Sequence, residues 1–365
     1  VHAQLIPVTP GGGLVGPGNA MGDQVACSVW IDGTSALLGA RYDDDMGDSS
    51  GAASVFRYVN STWVHDGQLL ASDGTGYDQF GASVAISGNW ALIGAPMLED
   101  VSVSPYPDIG AVYVFKRTNG VWQQTQRLFA TNPRTNDQFG LAIAMSGTVA
   151  VCATAKHAGN TNQGAAYVFR YDGSSWVKEQ KLNAAAGGTY TYGASVAFHG
   201  NRVVVGAPNE TNAGILFSGA AYVYDFNGSS WQQVQRLVPG DAAASDSFGF
   251  SVGVDDDAIA IGATGDDDKG SNSGSVYVYK LTGSTWTQSQ KLVANDGAGS
   301  DLFGYSVSMA QGVLLIGAKD KYGPSLYTGA AYAWIRESTS YVFENRLIIP
   351  TNTSPHNFGT AVCTA

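Results

Sequence analysis

The stretch Asp78-Gln-Phe-Gly-Ala-Ser-Val-Ala-Ile-Ser-Gly88 decides the fold, because versions of it return along the whole chain. The further copies are Asp137–Gly147, the segments that begin at Asp246 and Asp301, the reduced form Tyr192-Gly193, and Phe358-Gly359. With Val25 counted as the first, the marks stand at positions 25, 80, 139, 192, 248, 303 and 358, which are 53 to 59 residues apart. A regular period of this length indicates a repeat architecture.

Each repeat contains four segments whose alternating residues and flanking turn signals predict β-strands. In the repeat that begins at position 80 these segments start at Ser83, Ala91, Gly110 and Trp122. A four-stranded sheet with one apolar face cannot bury that face alone, so the sheets must stack, and radial stacking leaves only short edges. The pattern therefore predicts an all-β fold, namely a seven-bladed β-propeller.

We expect a single propeller domain over residues 1–365. The predicted blades are 25–79, 80–138, 139–191, 192–247, 248–302 and 303–357, with 1–10 and 358–365 forming part of a closing seventh blade. Gln4-Leu5-Ile6-Pro7 matches the end of a fourth strand and Phe358–Ala365 matches a first strand, whereas the second and third strands of that blade are missing.

Three explanations of the incomplete blade remain open. The natural chain continues past Ala365, the half-blade suffices for closure, or another polypeptide adds the missing strands. The third explanation would make the protein a subunit of a surface filament, because strand exchange between identical chains can propagate without closing. We favour continuation or processing of a longer chain.

Phe80-Gly81 at the start of one strand and Gly94-Ala95-Pro96 at the end of the next resemble the FG-GAP repeats of integrin α-subunit propellers and their secreted relatives. The chain is most similar to the subgroup with Asp-x-Phe-Gly-x-Ser-Val-Ala-Ile-Ser-Gly, and the likeness runs from about residue 20 to 362. The resemblance implies a propeller used for adhesion, ligand binding or assembly, and it implies no single activity. Integrin-like repeats often carry a calcium loop between the first and second strands. Here that turn is Ser87-Gly88-Asn89 or its equivalents, so those calcium sites are not carried over.

The charge of the chain bears on its partners. The formal net charge is −11, which opposes binding to phosphate backbones and to anionic lipid. No apolar run approaches the ~18 residues of a membrane span. We expect no nucleic-acid partner and no membrane insertion; the expected partners are a protein or glycan at the cell surface or matrix, or further copies of the chain. Val1-His2-Ala3 resembles the tail of a signal-peptide cleavage site, which favours a secreted, extracellular or cell-surface location.

Two acidic loops between predicted second and third strands are the candidate metal sites. Their carboxylates are Asp43, Asp44 and Asp45 in one loop and Asp266, Asp267 and Asp268 in the other, and a glycine follows in each. Hard cations take several converging oxygens, so calcium is the candidate cofactor. The ligand spacing of an EF-hand loop is missing, and a solvated acidic loop is the alternative.

Two further sets of charged residues recur. The first consists of aspartates five residues apart, which we expect to accept hydrogen bonds from turn amides: Asp73 with Asp78, Asp241 with Asp246, and Asp296 with Asp301. The second consists of bases on the predicted outermost strand, which we expect to discourage pairing between exposed sheet edges: Arg127, Lys181, Arg236, Lys291 and Arg346.

The sequence assembles no nucleophile, base and orienting residue. Gly47–Gly51 matches G-x-S-x-G but lacks the strand-to-helix setting of that motif. We therefore expect a non-catalytic interaction or structural protein, acting in adhesion or assembly. The alternatives are a calcium-assisted carbohydrate-binding lectin and the propeller domain of a secreted enzyme. Candidate glycosylation sites are Asn60, Asn209, Asn227 and Asn352, and pairing of Cys27 with Cys363 is left open.

Overall fold

The structure is a computed structural model that describes residues 14, 22–100, 102–104, 107–154, 164–184, 191–322, 328–348 and 357–364. Within these residues, 24 strands form six sheets of four strands each. In every sheet the strands follow one another in chain order, so each sheet is built from one continuous stretch of sequence. No helix in this part of the chain has the length and hydropathy needed to span a membrane.

The strands of the first three sheets have the following bounds. Sheet 1 contains β1 (Val25–Asp32), β2 (Ser35–Ala40), β3 (Ala52–Val59) and β4 (Thr62–Leu69). Sheet 2 contains β5 (Ser83–Ser87), β6 (Trp90–Ala95), β7 (Ala111–Thr118) and β8 (Val121–Leu128). Sheet 3 contains β9 (Ala142–Ser146), β10 (Val149–Thr154), β11 (Ala165–Tyr171) and β12 (Trp176–Leu182).

The other three sheets repeat this plan. Sheet 4 contains β13 (Ser195–His199), β14 (Arg202–Ala207), β15 (Ala220–Phe226) and β16 (Trp231–Leu237). Sheet 5 contains β17 (Phe248–Val254), β18 (Ala258–Ala263), β19 (Ser275–Thr282) and β20 (Thr285–Leu292). Sheet 6 contains β21 (Phe303–Ala310), β22 (Val313–Ala318), β23 (Ala330–Glu337) and β24 (Ser340–Leu347).

In the part of the chain that the structure describes, the all-β propeller has six blades, so the prediction of seven blades is wrong. Phe358, the mark predicted to open a seventh blade, opens no strand among the described residues. Its backbone N–H donates to Thr328 O at 3.1 Å, and it pairs with Gly329 in an isolated bridge. Ser306 Oγ donates to Gly359 O at 2.8 Å, and the described residues 357–364 form no strand. Phe358-Gly359 thus caps sheet 6. The predicted strand end at 4–7 lies outside the described residues.

The same junction occurs between consecutive sheets. Phe80, ahead of sheet 2, bridges Gly51, ahead of the third strand of sheet 1. Its N–H donates to Ser50 O at 2.9 Å. A Cβ on Gly51 would lie 2.0 Å from Phe80 O, so only glycine permits the approach. Phe80 therefore binds the sheet before it and also opens its own sheet. Phe358 makes the same contact with sheet 6 but opens no strand among the described residues, so seven marks accompany six described sheets.

Apolar side chains fill the space between neighbouring sheets. The described residues fall into two compact units, one within Gly206–Val223 and Val234–Ala365 together with Leu14, the other within Val15–Val205 and Tyr224–Gln233. In the second unit, one core cluster joins sheets 1 and 2 and another joins sheets 2 and 3. In the first unit, a cluster joins sheets 5 and 6. Burial of one sheet face against the next supplies the main stabilising force of such a repeat array.

Two recurring contacts fix the details of the packing. The Phe that opens a sheet packs edge-on against the Tyr of its third strand, as in Phe248 with Tyr277, whose ring centroids are 5.4 Å apart. In addition, a Gln on the fourth strand pairs with the backbone of the next fourth strand. Gln180 Nε2 donates to Trp231 O at 2.7 Å, and Trp231 N donates to Gln180 Oε1 at 2.8 Å. The Gln amide thus acts as one peptide group of a β-ladder between sheets.

Candidate functional site

The loop between the second and third strands gathers charged side chains in most of the sheets. We call the end of a sheet where this loop lies its loop end. The cluster is fullest in sheet 5. There Lys291 Nζ donates to Asp241 Oδ2 at 2.8 Å, to Asp266 Oδ2 at 2.8 Å and to Asp268 Oδ2 at 2.7 Å. Three carboxylates therefore surround one ammonium group.

Strand register brings Lys291 to this loop. In the ladder between β19 and β20, Lys291 lies directly opposite Tyr277. Tyr277 OH donates to Asp266 Oδ2 at 2.8 Å, and Lys291 Nζ lies over the Tyr277 ring, 5.1 Å from its centroid. Asp266 is buried, and its carboxylate accepts from both residues. A buried carboxylate requires such donors, because unpaired ionised groups are costly to desolvate.

Lys291 offsets one of the three negative charges of the cluster. Burial alone opposes the charged form of Lys291, but its hydrogen bonds to the three carboxylates outweigh that effect and raise its pKa above the ordinary value. The pKa of Tyr277 is raised as well, first by burial and then by its hydrogen bond to Asp266, so it remains a neutral donor. Lys291 is therefore a permanent internal cation of this loop.

Equivalent clusters lie at the loop ends of sheets 2 and 4. In sheet 2, Arg127 NH1 lies 2.6 Å from Asp73 Oδ2 and 2.8 Å from Asp100 Oδ2. In sheet 4, Arg236 Nε donates to Glu210 Oε1 at 2.8 Å, and Tyr222 OH donates to Glu210 Oε2 at 2.8 Å. Each cluster again pairs an acid of the loop region with a base of the fourth strand.

Sheets 3 and 6 show variants of the arrangement. In sheet 6, Lys321 from the loop itself donates to Asp301 Oδ2 at 2.7 Å, while Arg346 pairs with Asp296. In sheet 3, Lys181 Nζ lies over the Tyr167 ring, 5.6 Å from its centroid. A fourth-strand base at the loop end is thus present in every sheet from 2 to 6.

Sheet 1 is the exception. Gln68 lies opposite Ser54 in the ladder between β3 and β4, where sheet 5 has Lys291 opposite Tyr277. Gln68 Nε2 donates to Asp45 Oδ2 at 2.9 Å, and Asp43 Oδ2 is buried without a hydrogen-bond partner. The pKa of Asp43 is raised, first by burial and then by the neighbouring carboxylates of Asp45 and Asp23.

The two predicted metal loops share one conformation. Asp45 N donates to Asp43 Oδ1 at 3.1 Å, and Asp268 N donates to Asp266 Oδ1 at 3.2 Å. The middle aspartates, Asp44 and Asp267, have a different role. They accept from the loop amides of Ser49 at 2.9 Å and Asn272 at 2.8 Å. In sheet 5 the first and third carboxylates therefore share the partner Lys291, and in both loops the second aspartate holds the turn.

The two members of each aspartate pair five residues apart have different roles. The second member of each pair accepts from a turn amide, as predicted: Asp78 from Thr75 N at 2.7 Å, Asp246 from Ala243 N at 2.6 Å, and Asp301 from Ala298 N at 2.7 Å. The first members, Asp73, Asp241 and Asp296, bind the fourth-strand bases instead. Four of the bases predicted to protect sheet edges, Arg127, Arg236, Lys291 and Arg346, therefore also neutralise loop carboxylates.

Three of the four candidate glycosylation sites lie in described turns. Asn60 is exposed between β3 and β4, and Asn227 is exposed between β15 and β16, where its Oδ1 accepts from Ser229 N and Ser230 N at 2.9 Å. Asn209 is half-buried in the loop after β14. Asn352 lies outside the described residues. No disulfide joins Cys27, Cys152 and Cys363, all three of which the structure describes.

Sequence reasoning missed the tyrosines and the acid–base pairing at the loop ends. A signal was present. The base of the fourth strand follows the Tyr of the third strand by 14 residues, as with Tyr277 and Lys291, and the same spacing in the first repeat gives Ser54 and Gln68. Where an acidic loop precedes the Tyr, as before Tyr113, Tyr222 and Tyr277, this spacing predicts a base that faces the loop carboxylates.

Exposed apolar side chains also mark the loop ends. One unit has Met46, Tyr77 and Val103 there, and the other has Leu216, Phe217 and Tyr322. Tyr77 is anchored, since its OH donates to Asp48 Oδ2 at 2.5 Å. Apolar side chains presented on held loops are a common feature of interaction surfaces.

Comparison with known proteins agrees with the repeat pattern. The family model described as FG-GAP repeat matches six ranges: 14–56, 63–115, 122–169, 176–224, 231–279 and 286–334. Every range after the first begins within a fourth strand and ends within the third strand of the next sheet. No curated protein matches the chain. Because the matched ranges cover most of the sequence and the sheets form a propeller, the chain belongs to the FG-GAP repeat family of β-propellers.

Proposed function

We propose that this propeller is a non-catalytic interaction protein that works in adhesion or assembly outside the cell, through the loop ends of its sheets. The observation that carries the proposal is the set of apolar side chains exposed there, among them Leu216 and Phe217. Membership of the FG-GAP repeat family supports it, since propellers of this family typically serve protein interaction. Rigid sheets that present variable loops are a widespread design for recognition.

The charged clusters support the same function. Asp241, Asp266 and Asp268 are held by Lys291, and Glu210 is held by Arg236, so the loops are fixed before a partner arrives. Preorganised loops lose less conformational entropy on binding. These ionisable groups form ion pairs and turns, which supports a scaffold role for the loops.

The chemistry of the partner follows from the surface. The chain has a formal net charge of −11, and the loop ends carry exposed carboxylates such as Asp44 and Asp267 beside the apolar groups. Complementary charge accelerates association and suppresses wrong partners. We therefore propose a partner protein of the cell surface or matrix that has a basic or neutral surface and an apolar patch.

A site-specific photo-crosslinker tests which surface binds. It is placed at Leu216, at the loop end of sheet 4, or at Val121, in the hairpin at the opposite end of sheet 2; the two are 59% and 58% exposed. The native source tissue or culture supplies the partners. We expect defined crosslinked products from the Leu216 position only. Equal products from both positions, or products from Val121 alone, would overturn the proposal.

The extracellular location has its own test. Asn60 and Asn227 lie exposed in turns, where a glycosylation enzyme could reach them, so we propose that both carry glycans in a eukaryotic secretory pathway. Protein from its natural source, treated with a glycosidase in heavy-oxygen water, would show labelled aspartate at both positions by peptide mass spectrometry. Unlabelled peptides from secreted material would contradict the glycans, and exclusive recovery from cell interiors would contradict the location.

A calcium-assisted carbohydrate-binding lectin is the second candidate. The exposed Tyr77 ring beside the Asp48 carboxylate favours it, because sugars stack on aromatic faces and donate hydroxyls to carboxylates. A glycan array probed with and without calcium separates the two functions. Calcium-dependent binding that a Tyr77→Ala variant loses would support the lectin, and a blank array in both conditions would exclude it.

A further inference from the structure

The loops of sheets 1 and 5 have the same backbone hydrogen bonds. Met46 N donates to Ser50 Oγ at 3.3 Å, and Lys269 N donates to Ser273 Oγ at 3.0 Å. Both loops bury their first aspartate and expose their third. Asp43 and Asp45 thus occupy the positions that Asp266 and Asp268 occupy in sheet 5.

In sheet 5 these positions hold a positive charge. Lys291 Nζ contacts Asp266 Oδ2 at 2.8 Å and Asp268 Oδ2 at 2.7 Å, and Tyr277 OH gives Asp266 Oδ2 a second donor. The space between the first and third carboxylates is therefore the place of a cation in this loop type.

Sheet 1 keeps the two carboxylates and lacks both donors. Ser54 replaces the tyrosine and Gln68 replaces the lysine at the same ladder positions. The Gln68 amide reaches Asp45 Oδ2 at 2.9 Å and leaves Asp43 Oδ2 without a partner, although Asp43 is only 1% exposed. Asp43 Oδ1 accepts from Asp45 N, but Asp43 Oδ2 is removed from water with nothing to replace its hydration, which is unfavourable for an ionised carboxylate.

We propose that the loop of sheet 1 binds a hard divalent cation, calcium in preference to magnesium, between Asp43 and Asp45 at the position that Lys291 Nζ takes in sheet 5. Asp43 Oδ2 and the Asp45 carboxylate supply anionic oxygens. Gln68 supplies a neutral oxygen once its amide turns, since the two ends of an amide are nearly equal in shape. Calcium accepts irregular sets of carboxylate, amide and water oxygens, and the exposed Asp45 leaves room for water. Magnesium requires a stricter octahedron.

Isothermal titration calorimetry with calcium chloride and with magnesium chloride, on the full chain at near-neutral pH, tests the proposal. The wild type is expected to bind one calcium ion through this site, and Asp43→Asn is expected to weaken that binding by at least about tenfold. Asp266→Asn is the matched control at the same position of sheet 5, and it should leave calcium binding unchanged. Circular dichroism confirms that each variant is folded.

Gln68→Lys is the more stringent test. It gives sheet 1 a lysine at the ladder position that Lys291 occupies in sheet 5, so that an internal ammonium group takes the place of the external ion. We expect this variant to lose calcium binding and to lose the rise in melting temperature that calcium gives the wild type. Its own melting temperature without calcium should exceed that of the wild type. The absence of calcium binding by the wild type, or undiminished binding by Gln68→Lys, would overturn the proposal. Equal loss in Asp43→Asn and Asp266→Asn would overturn it too.

Discussion

Lys291 Nζ lies 2.8 Å from Asp266 Oδ2, and this contact joins the fourth strand of sheet 5 to the loop between its second and third strands. The lysine thereby neutralises the most buried carboxylate of the loop. Four of the five fourth-strand bases pair with a loop carboxylate, so the base at this position helps to hold the loop in those repeats.

Lys291→Met should destabilise the protein. The substitution keeps most of the side-chain volume but leaves Asp266 buried with one donor fewer and no counter-charge. We expect the free energy of unfolding to fall by about 2–3 kcal/mol, because removing one partner of a largely buried ion pair strands the other. Urea denaturation measures the change. Lys269→Met, on the exposed part of the same loop, is the control, and equal effects of the two would contradict the account.

Gln180→Ala should also destabilise the protein. It removes the amide that bonds both the N–H and the C=O of Trp231, and those two groups then lose their partners between sheets. The expected loss is about 1–3 kcal/mol, the usual penalty for unsatisfied buried polar groups. The exposed Gln232 is the control, and its change to Ala should cost less than about 0.5 kcal/mol. A harmless Gln180→Ala would show that the contact between the sheets does not depend on this amide.

Gly110→Ala should be far more damaging than Gly88→Ala. Both glycines have positive φ, but a Cβ on Gly110 would lie 2.3 Å from Phe139 O, whereas a Cβ on Gly88 meets no atom within 4 Å. Left-handed strain alone is unfavourable by about 1–2 kcal/mol, which is the change expected at Gly88. At Gly110 the clash with backbone at the junction of two sheets adds to it, and we expect a loss above about 3 kcal/mol. Thermal unfolding of the two variants measures the difference. Similar melting temperatures would contradict the close approach of Gly110 to Phe139 at the junction between the sheets.

The ion pair between Asp257 and Arg336 should make stability depend on pH. Arg336 NH1 and NH2 donate to the two Asp257 oxygens at 2.5 and 2.7 Å, and these hydrogen bonds lower the pKa of Asp257 below its ordinary value. The folded state therefore binds the proton less readily than the unfolded state. The stabilisation is present above about pH 4 and is lost as the pH falls through the folded pKa.

Asp257→Asn should accordingly be less stable than the wild type at neutral pH, by less than about 1 kcal/mol because the pair is partly exposed. The difference should vanish in acid. Urea denaturation at several pH values measures it, and Arg336→Gln should remove the same pH-dependent part. A difference that stays constant with pH would show that the carboxylate charge is not involved.

Sequence reasoning predicted the blade plan because it depends on local signals. Phe80 and Gly51 define the junction between two sheets, and the alternation of apolar and polar residues defines the strands. The all-β propeller was therefore predicted correctly. The number of blades was not, because Phe358 satisfies the same local signal while it caps sheet 6. A Phe-Gly mark contacts the sheet before it whether or not another sheet follows. The number of marks therefore does not equal the number of blades.

The sequence indicated the acidic residues of the loop-end clusters but not the bases that pair with them. The acidic loops are evident in the sequence, and Asp43 and Asp266 each belong to a predicted metal site. The difference between them lies in residues that come later in the chain, Gln68 and Lys291, and these reach the loops only through the register of a β-hairpin. Because a base far along the chain can neutralise an acidic loop, the composition of a loop alone does not decide whether it needs an external ion.

The central claim is that the first and third carboxylates of this loop type enclose a cation, Lys291 in sheet 5 and an external ion in sheet 1. A crystal structure of the wild type grown with strontium, which replaces calcium and scatters anomalously, tests the claim most directly. We predict an anomalous peak in contact with Asp43 Oδ2 and the Asp45 carboxylate, with Lys291 Nζ still bound to Asp266. A structure with no peak at Asp43, or with a peak at Asp266 in place of the lysine, would contradict it.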